Sequence, residues 1–177
     1  LRPTAAHAVP LAMGFFDKAK SFMGGHGVKV QLTRIERQPA SDAQMPLTDT
    51  VIKGNLEVTT EKPCTVLKHV FVFLAEWKDA EGMERSYELG RDAHDQSTDI
   101  IGGSLKWPYE LAPGTTAEDA FLISMNDDVP TQLGRMGFSD VATAVSSGQV
   151  KFKLKVIADV KGSPFDPTSE QFVRLVP

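Results

Sequence analysis

The residues of this chain that could do chemistry are four histidines, one cysteine and a scatter of carboxylates, and their spacing limits which chemistry that could be. His94 lies two residues from Asp92 and next to Asp95, with Asp99 close behind. Nitrogen and oxygen donors this close could ligate a metal, although the spacing matches no defined zinc or calcium motif. Asp also collects in turns because its side chain bonds the local backbone, so a solvated polar loop is the competing reading, and the favoured one. A metal-dependent hydrolase would need a His or carboxylate from a distant strand to converge on His94. His69 sits among apolar neighbours and reads as a core or strand-face histidine. His7 and His26 fall in a tail and a glycine-rich turn.

Gly24-Gly25-His26-Gly27 has the composition of a phosphate cradle. It follows a helical pattern and precedes a strand, however, the reverse of the strand, loop and helix order that holds phosphate, and so reads as a helix stop. Cys64 has no evident His partner, and no Ser sits in a Gly-x-Ser-x-Gly elbow. The adjacent acids Glu118-Asp119 and Asp127-Asp128 could form an acid/base pair, but loop and turn positions explain them. The sequence therefore assigns no catalytic, cofactor-binding or metal-ligating residue, and a non-enzymatic role is expected.

Two other features could make contacts. Lys151, Lys153 and Lys155 alternate along one strand and share a face, where they could steer an acidic peptide or lipid headgroup, or guard an edge strand against pairing with another chain; edge protection is favoured. Phe15 and Phe16 open a short amphipathic pattern, Gly14 to Met23, that predicts a helix either plugging the core or docking on a partner or membrane surface.

The elements that must position these residues are mostly strands. Val28, Val30 and Leu32 alternate with Lys29, Gln31 and Thr33, and the pattern slips at Arg34-Ile35 as a bulge would. Thr50 to Thr60 alternates cleanly, with Ile52, Gly54, Leu56 and Val58 on one face. Cys64 to Lys78 is apolar on both faces, as expected of a central strand. Asp79 to Gly82 turns into a polar edge strand, Glu84 to Gly90, and a polar loop holding Asp92, His94, Asp95 and Gln96 follows. Pro108 suits an edge or bulge. Ala117 to Met125 is extended, and Thr131 to Ser147 reads as one helix or as two broken at Gly137. Lys151 to Val160 is a clear strand, and a turn at Pro164 to Pro167 leads to a last strand, Gln171 to Val176. Gln38 to Asp49 reads as a loop, and Phe121, Phe138, Phe165 and Phe172 read as core. Seven or eight strands with helical signal in only two places predict an all-β, two-sheet sandwich.

With 177 residues, 41% hydrophobic and 24% charged, the chain has globular composition and length enough for one self-sufficient core. The formal charge of −4 disfavours general nucleic-acid binding, which draws its affinity from concentrated Lys and Arg. A lone cysteine excludes an intrachain disulfide and makes a reducing cytoplasm the simplest compartment. No apolar run reaches the roughly 18 residues of a membrane span; membrane association is possible but not indicated. Residues 1–12 read as an upstream extension or cloning remnant before Met13, and residues 13–177 as a single domain.

Several short motifs carry a resemblance. Met13-Gly14-Phe15-Phe16 with Gly24-Gly25 and Gly27-Val28-Lys29-Val30, then Thr50-Val51-Ile52-Lys53-Gly54-Asn55-Leu56, Trp107-Pro108-Tyr109-Glu110-Leu111-Ala112-Pro113-Gly114, and Val156-Ile157-Ala158-Asp159-Val160 with Pro164-Phe165-Asp166-Pro167, resemble bacterial sporulation-control proteins with an arrestin-like domain. The resemblance implies two stacked sheets and a non-catalytic scaffold or regulatory role through protein contacts. Family members are usually longer, with a second region whose function does not carry over. A partner strand added to an exposed sheet edge is the expected mode, and the same edge could pair two copies of the chain. The alternative is a sandwich that binds a sugar or small ligand, which would gather Trp77, Trp107 and Tyr109 on one concave face.

Overall fold

The computed structural model describes residues 20–22, 27–36, 45–97 and 105–177. Along the chain run β1 (Lys20–Phe22), β2 (Lys29–Ile35), β3 (Met45–Pro46), β4 (Val51–Thr59), β5 (Cys64–Lys78), β6 (Glu84–His94), β7 (Tyr109–Leu111), β8 (Thr116–Ser124), α1 (Val129–Arg135), α2 (Val141–Ser146), β9 (Val150–Val160), β10 (Thr168–Val173) and β11 (Leu175–Val176). One sheet has the order β1-β10-β9-β5-β6, with β7 also paired to β5, and the other has the order β2-β4-β8. Every pairing within these two sheets is antiparallel. A parallel pair, β3 with β11, stands apart.

Period-two patterning explains how the sheets face each other. In β4, Ile52, Gly54, Leu56 and Val58 are buried while Lys53 and Asn55 are exposed. In β9, Phe152, Leu154, Val156 and Ala158 form the inner row. Phe73 stacks on Phe152 within the large sheet at 5.9 Å between ring centres. Phe71 of β5 meets Phe121 of β8 across the interior at 4.7 Å, which joins the sheets at the middle of the core. β5 is the central strand that its two apolar faces predict, paired with β9 on one side and with β6 and β7 on the other.

One close approach fixes a residue type. A Cβ on Gly54 would lie 2.5 Å from the Phe121 ring and would also meet the Arg34 carbonyl oxygen, so only glycine fits between β2 and the inner aromatic. The slip read at Arg34 is real, because the β2–β4 register shifts between Leu32 and Arg34.

Helices α1 and α2 cover the end of the sandwich near Trp77, whose ring meets Phe138 edge-on at 5.5 Å. The Asp128 and Asp140 carboxylates accept the Thr131 and Thr143 amides at 2.8 and 2.9 Å and so start the two helices. Gly137, at φ 97°, breaks the helical run in two as its position suggested. Among the described residues no helix is long and apolar enough to cross a membrane.

Several expectations need correction. The helix expected over Gly14 to Met23 is contradicted at Lys20–Phe22, which pairs antiparallel with β10 as a strand; its other residues, Phe15 and Phe16 included, lie outside the described residues. The strand Glu84 to Gly90 continues to His94, so Asp92 and His94 are strand residues and not loop residues. Asp119 belongs to the middle of β8. Within the expected loop Gln38 to Asp49, Met45–Pro46 pairs with β11. Phe165 and Phe172, expected in the core, are 75% and 42% exposed.

Candidate functional site

Among the described residues, a buried polar cluster is built from three strands of the large sheet and the facing strand of the other. β5 contributes His69 to its inner row with Phe71 and Phe73, and β6 places His94 directly opposite His69. The short strand β7 brings Tyr109 alongside, paired with Val66 of β5. From the second sheet β8 points Ala117, Asp119, Phe121 and Ile123 inward, so a carboxylate replaces an apolar side chain in that row. His69 is fully buried, and His94, Asp119 and Tyr109 are nearly so.

Asp119 Oδ2 receives His69 Nδ1 at 2.7 Å and His94 Nδ1 at 2.9 Å, and its Oδ1 accepts the Ala120 amide at 2.9 Å. His94 Nε2 reaches Asp92 Oδ2 at 3.1 Å, and that same oxygen accepts the Leu122 amide of β8 at 3.0 Å. His69 Nε2 meets the Tyr109 hydroxyl at 2.9 Å. Trp107 and Phe71 close the apolar wall, with Trp107 edge-on to His69 at 4.8 Å and Phe71 at 5.3 Å from the His94 ring.

These distances set the charges. Both His94 nitrogens face carboxylate oxygens, and only the doubly protonated ring can donate to both. Burial alone would lower the His94 pKa, but the hydrogen bonds its ring donates to Asp119 and Asp92 outweigh it and carry it up to about 9. For His69 burial is the largest influence, and its pKa is lowered despite Asp119. A neutral His69 then donates Nδ1–H to Asp119 and accepts the Tyr109 hydroxyl proton at Nε2. Burial would raise both carboxylates, yet the hydrogen bonds they receive hold Asp119 and Asp92 below their usual range. Burial raises the Tyr109 pKa, so its hydroxyl stays protonated.

Aspartate, imidazole and hydroxyl in a line form the relay that activates a nucleophile in hydrolases. Here the hydroxyl is a buried phenol whose ionisation is suppressed, and the imidazole is walled by Trp107, Phe71 and Tyr109. The arrangement is suited to holding strands together. As a metal centre it would need donors aimed at a common point, whereas these nitrogens and oxygens face one another at hydrogen-bond distance. Among the described residues no group of three or more His, Cys, Asp or Glu side chains is placed to hold a metal ion; Asp99 lies outside them.

The lysine row is where alternation puts it, but its setting differs from the edge reading. β9 lies between β10 and β5, so the row does not guard an edge. Lys153 bridges Glu76 of β5 at 2.5 Å and Glu170 of β10 at 3.3 Å, and Lys155 reaches Glu170 at 3.5 Å. Lys151 is exposed beside them. Of the aromatics that a sugar site would gather, Trp107 and Tyr109 lie together with their rings 5.2 Å apart, and Trp77 is separate. Trp77 packs by α1 and α2 on Phe138, and Trp107 and Tyr109 pack on His69. Asp119 was legible in principle, since it falls in phase with Ala117, Phe121 and Ile123 on a buried face.

No family model matches the sequence, and no curated protein matches it. Among solved structures the chain is similar to Spo0M, a sporulation control protein from Bacillus subtilis, with a TM-score of 0.51 and 12% identity over 85% of this chain and 49% of that one. A transglutaminase from red sea bream gives a TM-score of 0.37 and 13% identity over 84% and 16% of the two chains. A protein from Archaeoglobus fulgidus gives 0.35 and 12% over 84% and 97%. The chain spans about half the length of Spo0M, and the likeness to it is one of fold: this is an arrestin-like β-sandwich.

Proposed function

We propose that the chain is a non-catalytic regulatory or scaffold module that works through protein contacts, with a partner strand adding to the free side of β6. The carrying observation is that β6, eleven residues long, ends its sheet, and among the described residues only β5 pairs with it. An unpaired strand edge is a template for another chain, with backbone hydrogen bonds supplying affinity and alternate side chains supplying choice. β6 is guarded against indiscriminate pairing by charge and by an irregularity. Arg85 pairs with Asp79, Arg91 pairs with Glu88, and the register shifts opposite Phe73 and Leu74. A partner would have to match that charge pattern. The arrestin-like fold shared with Spo0M, a sporulation control protein, supports a regulatory role, and the sealed His–Asp cluster supports a structural use of the chain's reactive side chains.

Affinity capture by the full chain from its native cell tests this, compared with a chain carrying Arg85→Glu and Arg91→Glu. Both arginines are exposed, so the fold should survive. The expected result is a partner protein that binds directly after purification and loses at least tenfold in affinity with the double variant. Equal binding by the variant would remove the β6 edge, and recovery of only the chain itself with a tightly held small molecule would remove the protein-contact reading.

A further inference from the structure

The two sheets meet along two open seams, and each seam is bridged from one sheet to an edge amide of the other. At one seam the Leu32 amide of β2 donates to the Ser169 hydroxyl of β10 at 3.3 Å, an uncharged link. At the other the Leu122 amide of β8 donates to Asp92 of β6, and Asp92 is held by His94, which also holds Asp119 of β8. Asp119, His94, Asp92 and Leu122 thus close a ring that crosses the seam twice, with one imidazole at its centre.

We propose that the β6–β8 seam is a proton-operated clasp, closed by the imidazolium of His94 and released when that ring gives up its proton. The chemistry follows from the ring's two partners. A neutral imidazole has one N–H, so one of its two nitrogens would face a carboxylate lone pair with its own lone pair. That repulsion in a buried site either parts His94 from Asp119, which is one crossing, or pushes Asp92 off the position from which it holds the Leu122 amide, which is the other. The groups facing His94 are few: Asp92 on its own strand, Asp119 from β8 and His69 opposite on β5, with Tyr109 of β7 reaching only His69. Arg91 is turned to Glu88 and does not compete. Release would free the outward amide of β8 at Leu122, beside a side chain that is 47% exposed. The clasp is a property of the chain alone and does not depend on the partner proposed for β6.

The test is NMR on the full chain labelled with ¹⁵N, titrated from pH 6 to 10.5, following the His94 ring nitrogens and the Leu122 and Leu32 amides. The His94 ring should titrate near 9. The Leu122 amide proton should move upfield with the same midpoint, and its exchange, corrected for the intrinsic base-catalysed rate, should quicken at least tenfold, while Leu32 stays put. In His94→Gln the Leu122 amide should sit at its released position at every pH; should that variant not fold, the titration of the natural chain decides. A Leu122 resonance that stays fixed while His94 titrates would overturn the proposal, and so would Leu122 and Leu32 shifting together, which would signal a general loosening.

Discussion

Two histidines that share one carboxylate but hold opposite charge states should give the stability of this chain a peaked dependence on pH. His94 keeps a proton in the folded chain that the unfolded chain, with an ordinary value of 6.5, gives up. The stability tied to that proton is complete below 6.5, falls as pH rises, and is gone once pH passes the folded value of about 9. The gap corresponds to about 3 kcal/mol. His69 acts with the opposite sign. Its folded pKa is lowered, so below 6.5 the unfolded chain takes up a proton that the folded chain refuses, and stability falls with acidity. The combined curve should crest near pH 6.5. Urea unfolding between pH 5 and 9.5 measures it directly, with His94→Gln and His69→Gln as partners. His94→Gln should lose most of the alkaline decline and His69→Gln the acid decline between 5 and 6.5, each leaving the other limb in place. If the difference in stability between the natural chain and His94→Gln is the same at pH 6.5 and 9, the charge assignment is wrong.

Other outcomes follow from single contacts. Gly54→Ala should cost about 2–3 kcal/mol, seen as a lower urea midpoint at unchanged slope, because the new methyl meets the Arg34 carbonyl and the Phe121 ring together. Tyr109→Phe should cost about 1–2 kcal/mol in the same assay, since it leaves His69 Nε2 buried without its donor. Phe165→Ser should change stability by less than about 0.5 kcal/mol, as the ring is 75% exposed.

The strands with one wet face were readable because alternation records burial directly. β4 and β9 match their patterns residue by residue, and the bulge before Arg34 showed as a slip in phase. Legibility failed where a core face is polar. Asp92 and His94 point inward from β6, and polarity on the inner row mimics the composition of a loop, which cut the strand short at Gly90. Asp119 was explained as a turn residue for the same reason, although its phase with Phe121 and Ile123 marked it as buried. The convergence of His69, His94, Asp92 and Asp119 depends on which strands become neighbours, and partners 25 and 50 residues apart leave no local trace. At Lys20–Phe22, apolar residues at helical spacing outweighed a three-residue strand that pairs along the side of β10. The lysine row was placed on the right face, but its acidic partners come from β5 and β10 and could not be foreseen from β9 alone.

The shared proton network also bears on how this sandwich can change over generations. Each of Tyr109, His69, Asp119, His94 and Asp92 satisfies a neighbour that cannot reach water. Losing any single member leaves its neighbour in the network short of a partner, whereas exchanging the whole set for well-packed apolar side chains could be neutral or even favourable. Such a group should be inherited or replaced as a block, and a lineage that has dropped one member while keeping the rest should have found a new hydrogen-bond partner for whatever was left behind.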